Sequence, residues 1–110
     1  MPIYIKVDVA LPSLTICSFQ APLSYTNAEF FMHEVLSLVT ALPPSPRWFI
    51  LRFDSIGEVD YVAAKMLKEL ADRMERAQVT LGFTGLSPDL RSFLSDSGVL
   101  DVIGSERVFA

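Results

Sequence analysis

A chain of 110 residues with a net charge of −4 is long enough for one domain that buries roughly 60 to 65% of its unfolded surface in a single core. Its acidic balance argues against general binding to nucleic acid or to an anionic membrane, because neutralising phosphates needs a clustered basic face and none is visible. Hydrophobic residues make up 51% of the chain, yet the unbroken apolar run WFIL at 48–51 reaches only four residues, against about 20 needed to cross a bilayer.

The opening MPIYIKVDVA places Lys6 and Asp8 inside its apolar stretch, so no secretory signal is read there. Residues 3–9 alternate apolar and polar as a half-buried strand, LPS at 11–13 turns the chain, and a second strand covers about 14–20. The two form an antiparallel pair. The lone Cys17, flanked by Ile16 and Phe19, has no internal disulfide partner; it reads as buried packing in a protein of a reducing compartment. Thr26 with Glu29 makes a capping box, and Ala28, Phe31, Val35, Leu38 and Leu42 follow at helical spacing up to PPSP at 43–46. RWFILRF at 47–53 suits a central strand covered on both faces, with Trp48 in the core. A second helix carries Ala63, Met66, Leu67, Leu70, Met74 and Ala77 as its apolar stripe. VTLGFTG at 79–85 is the next strand. Ser87, Pro88 and Asp89 start a third helix with Leu90, Phe93 and Leu94 inward and Gly98 at its end. RVFA at 107–110 reads as an edge strand.

This order predicts an α/β fold: a single domain with a mostly parallel central sheet, an antiparallel N-terminal strand pair and helices packed on the sheet. Ligands of such sheets favour loops at the carboxyl ends of strands, here 21–27, 54–62 and 85–88. Their chemistry is thin. Loop 54–60 offers Asp54, Glu58 and Asp60 with the single glycine Gly57, which would repel an anion and form no phosphate cradle. Asp60, directly before an apolar-periodic helix, is most simply its N-cap, the alternative being a metal-binding or catalytic carboxylate. On the cap reading, Asp60→Asn is expected to be nearly neutral and Asp60→Ala to cost about 0.5 to 2 kcal/mol. His33, the only histidine, stands mid-helix with no hydroxyl, thiol or carboxylate at motif spacing. No catalytic residue, metal ligand or cofactor site is expected.

APLSYTNAEFF at 21–31, the proline-rich break, RWFILRFDSIGEVDYVAAKMLKELADRM and LSPDLRSFLSDSGVLDVIGSERVF resemble, in order and spacing, the STAS domain that forms the cytoplasmic tail of SulP-type anion transporters. The resemblance covers about residues 14–109, and the whole chain, 1–110, is read as one such domain. Its most specific elements are Asn27, Ala28 and Glu29 after the strand end, and Asp60 at the start of helix two. Asp89, Leu90, Arg91, Leu94, Gly98, Val99, Leu100, Asp101, Ile103 and Gly104 add a later pattern. The other branch of the family comprises anti-sigma factor antagonists, soluble switches phosphorylated on a serine or threonine after the conserved aspartate. Tyr61, Val62 and Ala63 stand where those switches have small hydroxyl residues and a glycine, so the resemblance implies no phosphoacceptor here.

The resemblance therefore implies a non-enzymatic regulatory and interaction domain of a transporter of sulfate, bicarbonate or a related anion, at the inner face of the plasma membrane. Its partner would be the transmembrane part of the same transporter, absent from these 110 residues, or another STAS copy or cytosolic regulatory protein, with no nucleic acid and no direct bilayer insertion. The alternative is a free-standing signalling protein like the anti-sigma factor antagonists. The family usually continues into a further helix after the last strand. Glu58, Val59, Asp60 and Tyr61 are expected to form the interaction loop, with Tyr25 and Leu86 adding apolar surface. Tyr61 either faces outward as an anchor or folds back on its helix to shield the core.

Overall fold

Alternation and a turn at residues 12–13 make the first unit of the fold. In the computed structural model, which describes residues 5–41 and 47–110, β1 (Ile5–Leu11) and β2 (Leu14–Phe19) pair antiparallel, closing on Leu11 and Leu14. A bulge at Asp8 shifts the register between Val7 and Val9. The predicted strand start at Ile3 and Tyr4, and the first helix's end at Leu42 with its proline stop, lie outside the described residues. β3 (Arg47–Arg52) and β4 (Val79–Thr84) then add in parallel, giving the order β1-β2-β3-β4. The connecting helices are α1 (Ala28–Thr40) and α2 (Tyr61–Arg76).

Each crossover steps to the next strand in the same direction, so right-handed connections bring both helices to one face of the sheet. Burial follows that asymmetry: Cys17, Phe19, Phe49, Leu51, Leu81 and Phe83 point under the helices and are nearly inaccessible. The expectation that β3 is covered on both faces fails, because Trp48 points away from the helices and is 38% exposed. Among the described residues, the chain end covers part of that second face. A Cβ on Gly82 would lie 2.7 Å from Ile50 Cδ1 and 3.2 Å from both the Arg107 carbonyl oxygen and the Phe109 ring. Gly82→Val should therefore lift the segment 107–109 and destabilise the fold by about 1 to 3 kcal/mol, the range for overpacked interiors; an unchanged urea midpoint would show that the segment yields freely.

Three local expectations are corrected. The Thr26 and Glu29 capping box does not form: the helical turn starts upstream, where Asn27 Oδ1 accepts the Ser24 N–H at 2.9 Å and the Ser24 carbonyl accepts from Asn27 and Ala28. Ala77 is the exposed C-cap of α2, because the helix ends at Arg76 just before it, while Ala64 is buried and joins the stripe. The chain end makes one parallel bridge, Val108 to Phe83, rather than a strand. After α3 (Pro88–Asp96) a further helix, α4 (Val99–Ile103), was not predicted. Gly98 at φ 83° and Gly104 at φ 96° bound it, backbone states that suit glycine.

Cys17 is fully buried, and burial first, with Asp8 second, pushes its thiol from 9.0 up to about 11. The folded state thus favours the neutral thiol. Stability from this site is present below pH 9 and is lost as pH rises through about 11, since the unfolded chain releases the proton first. In native buffer Cys17 is expected to resist a thiol reagent that titrates it at once in denaturant; rapid native labelling would contradict the packing.

Candidate interaction surface at the strand ends

The carboxyl ends of the strands are stitched together by backbone. Leu23 and Val59 form a parallel bridge, the Leu23 N–H donates to the Glu58 carbonyl at 2.9 Å and the Asp60 N–H to the Leu23 carbonyl at 3.0 Å. Loops 21–27 and 54–60 are thereby joined into one surface. Asp60 completes the stitch. Its Oδ1 accepts the Ala63 N–H at 2.8 Å, capping α2, and its Oδ2 accepts the Tyr25 N–H at 2.8 Å. The capping role was legible in sequence; the second bond, spanning 35 residues, was not.

These two hydrogen bonds tie the Tyr25 backbone to the residue that precedes Tyr61, and both side chains face outward: Tyr25 is 74% and Tyr61 76% exposed. Tyr61 is not folded into the core, although its ring meets the half-buried Phe93 edge-on at 5.2 Å. Val59, expected to add surface, is instead buried at 8% exposure because it occupies the bridge to Leu23. Leu86 is half-buried against the core, so the apolar surface comes from Val62, which is exposed. Behind the loop, Gly57, Glu58, Val59, Asp89, Leu90 and Phe93 line a hollow of about 360 Å³.

On the other side of Val62 a wider groove of about 800 Å³ runs between α1 and α2 over Met32, Leu36 and Met66, with His33 on its α1 wall. His33 is exposed, as a surface helix residue. The signal for this groove is present in the sequence only as two methionines on facing helices, which periodicity alone does not bring together.

The electrostatics disfavour an anion at the loop. Glu58 and Asp60 carry their charge beside Tyr61, and the arginine nearest in sequence, Arg52, is held between Asp8 at 3.4 Å and Asp54 at 3.6 Å. Among the described residues, no three His, Cys, Asp or Glu side chains gather in a way that could hold a metal ion. No helix there is long and apolar enough to cross a membrane.

Fold and surface together define a small α/β domain whose strand-end loops are joined by backbone hydrogen bonds. The family model described as the STAS domain matches residues 5–110, and the chain belongs to the STAS domain family. Two probable sulfate transporters from strains of Mycobacterium tuberculosis are 32% identical to it over 99 residues, 90% of this chain and 18% of theirs. The chain thus spans under a fifth of the length of the curated relatives it matches. A sulfate transporter family protein from Wolinella succinogenes is 27% identical, with a TM-score of 0.76 over 92% of this chain and 79% of that one. The unphosphorylated anti-sigma factor antagonist SpoIIAA shares the fold, with a TM-score of 0.72 at 12% identity over 96% of this chain and 87% of its own.

Proposed function

We propose that residues 1–110 form one STAS domain acting as a non-enzymatic regulatory and interaction module of a SulP-type anion transporter, at the cytoplasmic face of the membrane. The 32% identity to probable sulfate transporters across 90% of the chain carries this reading. In the same proposal, Glu58, Asp60 and Tyr61, joined by Tyr25, contact the transmembrane part of the transporter, with Val59 supporting them from beneath. Exposed aromatics suit such a contact because they bury much area with few rotatable bonds, and one anchor is worth about 2 kcal/mol or more. The transported anion would be sulfate or a related one. The reading as a phosphorylated switch is disfavoured by Tyr61, which stands where that branch has a small hydroxyl residue, and by the carboxylates that a phosphate would face.

In the full transporter, Tyr61→Ser is expected to leave the domain folded, since an exposed residue contributes little to the core, and to change anion uptake at equal protein abundance. Unchanged uptake would remove the contact from the proposal. A mass increase of about 80 daltons in loop 54–62, after incubation with ATP and anti-sigma-type serine kinases, would instead favour the switch.

A further inference from the structure

Loops 21–27, 54–60 and 85–88 hold three carboxylates, Asp54, Glu58 and Asp60, and no lysine or arginine. Two of the three are engaged within the chain. Asp54 stands 3.6 Å from Arg52, and Asp60 accepts from the Tyr25 and Ala63 N–H groups. Glu58 is exposed, and its side chain makes no hydrogen bond or ion pair among the described residues. The same holds for Asp89, in the first turn of α3. Both of these residues line the hollow of about 360 Å³ between loop 54–60 and α3.

The rest of the lining carries no charge. Val59 and Leu90 are buried, and Phe93, met edge-on by Tyr61, is half-buried. A Cβ on Gly57 would meet nothing within 4 Å, and its φ is not positive, so neither packing nor backbone requires a glycine there. Its missing side chain keeps the hollow open. Apolar walls with two carboxylates and no cation complement a long side chain that is apolar along its stem and positive at its tip. A void of this size, at the low end for small-molecule pockets, admits one such chain. Arginine fits better than lysine, because its planar fork donates to two carboxylates at once and lies flat on an aromatic ring.

We propose that this hollow binds an arginine side chain of the protein's partner, its guanidinium shared by Glu58 and Asp89 and its stem laid on Val59, Leu90 and Phe93. The inference rests on the reading that the strand-end loops contact the transmembrane part of a transporter, since cytoplasmic loops of membrane proteins carry an excess of Lys and Arg. Tyr25 and Tyr61 would then cover the surroundings of the pair and exclude the water that screens it.

The probe is N-acetyl-arginine amide, titrated into the 110-residue chain at constant ionic strength and followed by amide chemical shifts. Saturable changes are expected at Gly57, Glu58, Leu90 and Phe93, with a dissociation constant of about 1 to 10 mM, the range left to one side chain after the cost of association. N-acetyl-citrulline amide, nearly equal in shape but uncharged, should bind about tenfold more weakly. Glu58→Gln and Asp89→Asn should each weaken arginine binding about tenfold, and the fold should survive in both, as thermal melts would show. No saturable change at the hollow, equal binding of the citrulline compound, or indifference to both variants would each overturn the proposal. Uptake by the full transporter separates it from the reading on which it rests. Arginine binding by the domain, with uptake unaffected by Glu58→Gln and Asp89→Asn together, would sink the contact with the transmembrane part and leave the hollow as an arginine site for another partner. Altered uptake without arginine binding would keep the contact and remove the arginine from it.

Discussion

Phe83→Ala is expected to lower the stability of the domain by about 3 to 5 kcal/mol, a large share of the roughly 5 to 15 kcal/mol available to a domain of ordinary size. The residue sits in β4, fully buried, with its ring edge-on to Phe53 at 4.7 Å. Truncation would open a cavity beneath the helices that backbone already fixed by β3 pairing on one side cannot collapse to fill. The loss should also spread outward. The Phe83 carbonyl accepts the Phe109 N–H at 2.8 Å and the residue bridges Val108, so loosening β4 should loosen the chain end. Phe83→Leu, which keeps most of the volume, should cost less than half as much. Urea denaturation of both variants checks the pair of values; a loss under 1.5 kcal/mol for alanine would mean that the core repacks far more readily than its aromatic contacts suggest.

The second large effect is at Asp60. Alanine removes the cap of α2 and the bond to Tyr25 together, and we expect a loss of about 2 to 3 kcal/mol, made up of a typical cap and a second charge-assisted hydrogen bond that is partly offset by water. The asparagine variant is the more informative one. If Asp60 were only an N-cap, asparagine would serve nearly as well, which is what the sequence suggested. With both carboxylate oxygens accepting, one end of an amide is left with a donor facing a donor, so Asp60→Asn is expected to cost about 1 kcal/mol or more. Amide exchange localises the effect: in Asp60→Asn one of the Tyr25 and Ala63 N–H groups should lose protection and the other keep it. Equal protection in both proteins would show that the double role is not held in solution.

Much of the architecture was legible because it rests on local signals. The run at 47–53, the stripe of α2 and the Ser87-Pro88-Asp89 start of α3 each state their element within a few residues, and all three formed. What escaped depends on contacts distant in sequence. Trp48 looked like core because a strand in the middle of an α/β order is usually covered twice; which face stays open is decided by crossover hand and strand order. The Val99–Ile103 helix is too short for periodicity to register. At the strand ends, Asp60 was recognisable as a cap, but the bond to Tyr25 and the burial of Val59 arise from a bridge between loops 36 residues apart, Leu23 with Val59. Tyr61 could be placed at the start of a helix from sequence, whereas its outward orientation needed the loop to be built.

Trp48 is the single tryptophan of the chain, and it lies partly in water on the face of the sheet away from α1 and α2, 6.1 Å from the ring of Phe109. The molecule thereby carries its own optical reporter. Indole emission shifts to the blue as water is withdrawn, so any body that settles on this face should announce itself in the intrinsic fluorescence without a label. Fraying of the last few residues should shift it the opposite way.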